Sequence, residues 1–258
     1  MFLQDIVSTV DQRVQRLHAV RPYLVNRAQN MPAVRSLESA LAPTGAGLRV
    51  IAECKHRSPS KGWLTDAYDP VRQALSYEEG GAAAISVLTE PHFFAGDRWH
   101  LLAVTGAVEV PVLRKDFIRD PVQLYESRAL GADAVLLIVR IIDDRIKLKD
   151  LWQVATGIGL EVLVEVHARA EVEAALEIGA HIIGVNNRDL DSFETRLGLS
   201  QEVAEMLPSS VIKVAESGIQ SMADAINLRG FGYEALLIGE TLMRGGFSLK
   251  ELTHVPRG

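Results

Sequence analysis

The sequence predicts an α/β chain closed into a (β/α)8 (TIM) barrel with an N-terminal helical extension, and three observations carry that reading. From residue 48 onward, eight short apolar runs alternate with longer amphipathic segments. The runs hold Val, Ile, Leu and Ala on both faces, the pattern of parallel strands covered on each side by helical crossovers. The length of 258 residues suits such a barrel, for which roughly 250 are typical. An open doubly wound sheet would show Gly-x-Gly-x-x-Gly after its first strand, whereas here that strand enters a basic loop, Lys55-His56-Arg57.

The elements follow in chain order. Residues 3–29 place Leu3, Ile6, Val7, Val10, Val14 and Leu17 on one face and Asp11, Gln12, Arg13, Gln15 and Arg16 elsewhere. This is expected to be an amphipathic helix that lies against a larger body. A short helix at 36–41 stops before Pro43, and Thr44-Gly45-Ala46-Gly47 reads as a turn. Residues 1–45 should therefore pack on the barrel as an extension. Strands are expected at 48–52, 83–88, 110–113, 134–139, 161–166, 182–185, 211–215 and 235–238. Helices are expected near 70–80, 97–106, 120–130, 143–157, 168–178, 199–206 and 219–229, with a broken one at 240–252. Gly80-Gly81, Gly131 and Gly179 fit helix C-caps entering the next strand. No low-complexity linker divides the chain, so 1–258 is expected to form one domain.

Composition narrows the function classes. A formal charge of −6 argues against nucleic acid or an anionic membrane surface as the main partner, so a bound anion must meet a local basic cluster. No uncharged apolar run approaches ~18 residues, the start lacks a signal-peptide pattern, and a cytoplasmic location is expected. Cys54 is the single cysteine and is expected to be a small apolar strand residue facing away from Glu53 and Lys55. No Cys/His spacing resembles a zinc site, so no metal is expected.

In a (β/α)8 barrel the chemistry sits at the C-terminal strand ends. The first run ends in Glu53 and Lys55, two residues apart and so on one strand face. Burying either charge unpaired costs several kcal/mol, so the pair is either a structural ion pair or a functional one. The second run leads to Thr89-Glu90 with Phe93 and Phe94, the third to Arg114-Lys115-Asp116-Phe117. The fourth, Leu136-Leu137-Ile138-Val139, offers only apolar wall. The fifth carries Glu165, the sixth Asn186-Asn187-Arg188-Asp189, the seventh Glu216-Ser217-Gly218 and the eighth Gly239-Glu240. Each alone has a plain structural reading, as a surface pair, a solvated strand end or a turn. Five strand ends bearing Lys, Glu or Asn at one topological position favour a site. Ser217-Gly218 and Gly239, each leading into a helix, match the phosphate site such barrels build after strands seven and eight. Glycine lets the backbone approach an anion, and the N–H groups of a helix start supply donors. A small phosphorylated molecule is the expected ligand.

These segments resemble the indole-3-glycerol phosphate synthase family over about residues 48–245. The resemblance rests on Val50-Ile51-Ala52-Glu53-Cys54-Lys55-His56-Arg57-Ser58-Pro59-Ser60, Ser86-Val87-Leu88-Thr89-Glu90 and Pro111-Val112-Leu113-Arg114-Lys115-Asp116-Phe117. Further matches are Glu161-Val162-Leu163-Val164-Glu165-Val166-His167, Gly184-Val185-Asn186-Asn187-Arg188-Asp189-Leu190, Val214-Ala215-Glu216-Ser217-Gly218-Ile219 and Leu237-Ile238-Gly239-Glu240. It implies a lyase that closes the ring of 1-(2-carboxyphenylamino)-1-deoxyribulose 5-phosphate with loss of CO2 and then water. By the family pattern Lys115 is the general acid of ring closure and Glu165 the base of dehydration, with Lys55 and Glu53 assisting. Asn186 and Glu216 would bind sugar hydroxyls, with Arg188 and Ser58 on the same rim. Ser217, Gly218, Gly239 and the backbone of Glu240 would hold the phosphate, and Phe94, Phe117 and Leu137 would wall the aromatic ring.

No metal or organic cofactor is implied, and a monomer or weak homo-oligomer is expected. A lysine acid works best near neutral pH when its pKa is lowered, and Glu53 would keep Lys55 charged, so Lys115 is expected to be the more perturbed lysine. The sequence departs from the family at His56-Arg57 and at Asp97, where a serine is common, and 191–196 is a loose version of the family loop. Two other readings stand beside this one. The first is a phosphate-binding barrel isomerase of tryptophan or histidine synthesis; the second is a barrel that binds a phosphorylated ligand without turning it over.

Overall fold

The computed structural model describes residues 2–43, 47–142, 144–246 and 248–255. The expected turn at 44–46 and the expected helix start at 143 lie outside them. Eight parallel strands close into a barrel, each paired with its sequence neighbour and the eighth with the first. They are Arg49–Cys54, Ala84–Leu88, Val112–Lys115, Ala134–Ile138, Glu161–Val166, Ile182–Asn186, Ile212–Glu216 and Ala235–Ile238. Ile51 lies opposite both Ala84 and Leu237, which marks the seam where the sheet closes on itself. Closure leaves the barrel no unpaired edge. The strand residues are buried almost throughout, because one face fills the barrel and the other meets the helices.

The helices are α1 (Phe2–His18), α2 (Arg21–Gln29), α3 (Leu37–Leu41), α4 (Pro70–Glu79), α5 (Pro91–Phe94), α6 (Arg98–Thr105), α7 (Pro121–Ala129), α8 (Arg145–Gly157), α9 (Arg169–Glu177), α10 (Gly198–Ala204), α11 (Met222–Gly230), α12 (Glu240–Met243) and α13 (Leu249–Leu252). Asp69, Asp97, Asp120, Asp144 and Ser221 cap α4, α6, α7, α8 and α11 by accepting from backbone N–H groups of the first turn. Gly81, Gly131 and Gly179 take φ of +94°, +88° and +83° where α4, α7 and α9 hand the chain to the next strand, as expected of C-cap glycines.

Four elements depart from the sequence reading, one of them the short α5, which no helical pattern announces and which Glu90 caps by accepting from the His92, Phe93 and Phe94 N–H groups. The single helix expected over 3–29 is two, α1 and α2, broken at residues 19–20, and Pro22 stands in the first turn of α2, where its missing N–H costs nothing. The loop after the first strand forms a tight hairpin, Arg57–Ser58 against Gly62–Trp63. The fourth strand does not end in apolar wall alone. It turns through a short 3-10 helix, Val139–Ile141, and Arg140 within it bonds Glu171 and Asp189 at 3.2 and 3.0 Å.

The extension is fastened to the barrel by charge as well as by its apolar face. Arg13 of α1 donates two bonds to Asp116 beyond the third strand, at 3.2 and 2.7 Å. Arg27 of α2 donates to the Ala129 carbonyl at 2.7 Å, and Arg35 reaches Asp133 through its backbone N–H and Nε, both at 2.8 Å. Cys54 is buried, its Sγ 3.9 Å from the Pro70 carbonyl oxygen. Among the described residues no helix is long and apolar enough to cross a membrane.

Candidate active site

A cavity of about 600 Å³ opens at the C-terminal ends of the strands, and the strand pleat decides what reaches it. Leu136 and Ile138 of the fourth strand line it, while Leu137 between them is fully buried and is not among its lining residues. The expectation for Leu137 is therefore corrected. Alternate residues face opposite sides of a strand, and its two neighbours take the wall position instead. Phe94 and Phe117 do line the cavity, with ring centroids 6.1 Å apart.

At the cavity floor Lys55, Lys115, Glu53 and Glu165 meet, with Glu216 behind Lys115. Glu53, 2% exposed, pairs through Oε1 with Lys55 Nζ and lies with Oε2 3.6 Å from Lys115 Nζ. Lys115 Nζ is 2.7 Å from Glu216 Oε2 and 3.7 Å from Glu165 Oε2. Burial alone would lower the Lys115 pKa, but Glu216, Glu53 and Glu165 together outweigh it and raise it well above the ordinary lysine range. The expected perturbation is thus present with the opposite sign to that sought in an acid near neutral pH: three carboxylates keep this ammonium charged. Burial likewise raises Glu53, yet Lys55 and Lys115 overcome it and hold the carboxyl below its ordinary value.

Glu216 does not line the cavity. It is fully buried behind Lys115, and burial pushes its pKa up to about 8, with Glu165 acting in the same sense and Lys115 against it. Its contact in this structure is the Lys115 ammonium. Two glycines, one inside the sixth strand and one just past the eighth, make room for these carboxylates. A Cβ at Gly184 would lie 2.2 Å from Glu216 Oε1, and one at Gly239 would lie 2.5 Å from Glu53 Oε1. Gly184 is a glycine inside an apolar strand, the local signal of a close approach.

The rim after the seventh and eighth strands carries the residues expected to meet an anion. Ser217 and Gly218, φ +62° and +77°, and Gly239 and Glu240 at the start of α12 all line the cavity. A left-handed serine costs roughly 1–2 kcal/mol and such strain gathers at ligand clamps. A Cβ at Gly218 would meet Thr195 Cγ2 at 2.3 Å, so both its conformation and its space require glycine. Asn186 lines the wall, and its Oδ1 accepts from the Arg188 backbone N–H at 3.1 Å. Arg188 donates to Ser60 Oγ at 2.7 Å and lies 3.5 Å from Glu240 Oε2, tying the first-strand loop to the ends of the sixth and eighth strands. Ser58 is buried beneath that loop, its Oγ 3.1 Å from Ser60 Oγ. Ser60, Lys61, Thr195 and Arg244 also face the cavity and were not singled out from sequence, since nothing local distinguishes loop residues brought in by tertiary folding.

The departures from the family pattern have structural roles. His56 stacks on Tyr68 at 4.7 Å and tilts against Trp63 at 4.6 Å, pinning the hairpin from outside. Asp97 caps α6 by accepting from the Trp99 N–H at 2.9 Å. Asp116 sits under Lys115 in a buried net of Arg13, Arg114, Thr89 and the Phe117 N–H.

A family model described as indole-3-glycerol phosphate synthase matches residues 3–253. Proteins named indole-3-glycerol phosphate synthase show the same likeness along nearly the whole chain. The one from Chlorobium luteolum is 46% identical over 255 residues, covering 98% of this chain and 95% of its own length. That from Chlorobium phaeovibrioides is 45% identical over 243 residues, 93% and 94% of the two chains. That from Carboxydothermus hydrogenoformans is 44% identical over 252 residues, 95% of each. With motifs, barrel and rim all in agreement, the chain belongs to the indole-3-glycerol phosphate synthase family.

Proposed function

We propose that this chain converts 1-(2-carboxyphenylamino)-1-deoxyribulose 5-phosphate to indole-3-glycerol phosphate, CO2 and water, with Lys115 as the acid of ring closure. The observation that carries the reading is the pairing of a charged Lys115, enclosed by Glu53, Glu165 and Glu216, with an anion-binding rim across the same cavity. The phosphate lies against the backbone of Ser217, Gly218, Gly239 and Glu240, and Asn186, Arg188 and Ser58 hold the sugar and the closing loop. Phe94, Phe117, Leu136 and Ile138 enclose the aromatic ring.

In this pose the ring carbon attacks the ketone carbon while Lys115 gives a proton to the ketone oxygen. The carboxylate then leaves as CO2 and the ring regains its aromaticity. In the dehydration Lys55, paired with Glu53, gives a proton to the new hydroxyl, whose C–O bond breaks to release water, while Glu165 takes a proton from the neighbouring carbon as the ring double bond forms. A proton transfer by a placed side chain contributes typically ~10²–10⁴-fold, and a desolvated ammonium stabilises developing negative charge on oxygen. The substrate supplies its own leaving group, so the reading needs no cofactor. It places the enzyme in the cytoplasm as a monomer or weak homo-oligomer within one folded domain.

The test is to incubate the purified protein with this substrate and follow the growth of indole fluorescence. Steady growth that ends at one equivalent of indole product is expected; folded protein that gives none would sink the proposal.

A further inference from the structure

Asn187 directly follows Asn186 at the end of the sixth strand, yet it is buried and is not among the residues that line the cavity. Its polar groups are engaged by three other stretches of chain. The backbone N–H donates to the Glu216 carbonyl at 2.9 Å, and the backbone carbonyl accepts from the Arg196 N–H at 2.8 Å. On the side chain, Nδ2 donates to the Glu216 carbonyl at 3.0 Å and, more loosely, to the Ser217 carbonyl at 3.4 Å. Oδ1 accepts from Ser200 Oγ at 2.8 Å and from the Ser200 N–H at 3.2 Å, in the first turn of α10. These partners decide which way the amide faces. A carbonyl only accepts and a backbone N–H only donates, so Nδ2 must meet the seventh strand end and Oδ1 must meet the helix.

The consequence lies in the turn that this amide holds. Ser217 and Gly218 line the cavity. The C=O and N–H of a trans peptide point in opposite directions. With the Glu216 and Ser217 carbonyls drawn back to Asn187, which lies behind the wall, the N–H groups of Ser217 and Gly218 are turned toward the cavity. Neither of these N–H groups makes a hydrogen bond among the described residues. Ser217 holds a left-handed φ of +62°, a conformation that persists in a serine only where its surroundings impose it. The other end of the turn is fixed separately, since Thr241 Oγ1 of α12 donates to the Ile219 carbonyl at 2.6 Å. Carbonyl oxygens are thus held away from the place where an anion would sit, and amide donors are left to face it.

We propose that Asn187 is a positioning residue for the substrate's phosphate: by holding the Glu216 and Ser217 carbonyls outside the cavity, it presents the Ser217 and Gly218 N–H groups to the anion without touching it. This deepens the proposed function and rests on its placing of the phosphate at this rim. Asn186 and Asn187, adjacent in the chain, therefore divide the work, one on the cavity wall and one behind it.

Two probes separate this role from a general structural one: inorganic phosphate, and the substrate without its phosphate, 1-(2-carboxyphenylamino)-1-deoxyribulose. Asn187→Asp keeps the side-chain size and the acceptor toward Ser200 but sets an oxygen against two carbonyls. In calorimetric titrations of the folded variant, the dissociation constant for inorganic phosphate is expected to rise at least about tenfold, while that for the phosphate-free substrate stays within about twofold of wild type. Unchanged phosphate affinity, or an equal loss for both probes, would overturn the proposal, as would a wild type that binds no phosphate.

Ser200→Ala carries the test if Asn187→Asp does not fold. It removes one of the two donors that hold Oδ1 and leaves the amide itself in place. Its phosphate affinity is expected to fall about threefold, again with the phosphate-free substrate unaffected; an unmoved phosphate affinity would overturn the assignment. A wild type that binds phosphate and gives these differences but makes no indole product would refute the proposed function and leave the positioning by Asn187 standing.

Discussion

Lys115 is a cation kept charged by its neighbours, and that defines how it would act as the proposed acid. Its ammonium gives up a proton only when a substrate oxygen gains negative charge at Nζ, so the surrounding carboxylates select for the transition state. Lys115→Ala is expected to lower kcat by at least ~10²-fold while the melting curve stays cooperative; unchanged turnover would refute its role. Gly184→Ala tests the space behind it. The added methyl would lie 2.2 Å from Glu216 Oε1, so the carboxylate must swing out of contact with Lys115. We expect a loss of about 1–3 kcal/mol in urea unfolding together with reduced kcat, and an unperturbed kcat would mean that the Glu216–Lys115 contact is idle. At this scale the sequence was legible where charge interrupts an apolar run, as at Glu53, Lys55, Lys115 and Glu165. It was not legible where two apolar residues compete, as at Leu136 and Leu137, because facing depends on strand register to a single residue. Nor does a local pattern tell that Glu216 turns inward behind a lysine from another strand.

The N-terminal helix and the third strand act as one element. Arg13 on α1 holds Asp116, and Asp116 adjoins Lys115 and accepts from the Phe117 N–H at 2.8 Å, so the extension steadies both the acid and the aromatic wall. Removing a partner from a charged hydrogen-bonded pair costs about 1.5–3 kcal/mol. Arg13→Ala should lose about that much stability, less if Arg114 compensates, together with some turnover; a variant as stable as wild type would show that α1 is held by its apolar face alone. The pH dependence has a definite sign. Burial would raise the Asp116 pKa, but Arg13, Arg114 and the bonds from Arg13 and Thr89 overcome it and hold the carboxyl below its usual range. A depressed carboxyl contributes its full stability above its unfolded value of ~3.9 and loses it as pH falls further. The stability gap between wild type and Arg13→Ala should therefore be constant from pH 5 to 8 and narrow below about pH 4. The longer helices were legible as apolar stripes, but the short α5 and the break between α1 and α2 were not, since the stripe continues through residues 19–20 and only Pro22 marks the restart.

At the scale of the molecule, barrel closure converts eight separate strand ends into one rim. The eight apolar runs and their spacing made this architecture readable, because a parallel sheet needs a crossover after every strand and a closed one needs no polar edge. Function was readable for the same reason: once the runs are joined into a ring, the charges at their ends must converge. The closing hairpin after the first strand was not readable, because its hold on the site comes from Arg188 and Ser60, 128 residues apart in the chain, and from the His56–Tyr68 stack. The most direct measurement of the whole account is single-turnover chemistry on 1-(2-carboxyphenylamino)-1-deoxyribulose 5-phosphate labelled with ¹³C in its carboxylate. Wild-type protein should release one labelled CO2 for each indole-3-glycerol phosphate formed, and Lys115→Ala neither; CO2 without indole product, or equal turnover by the variant, would contradict it.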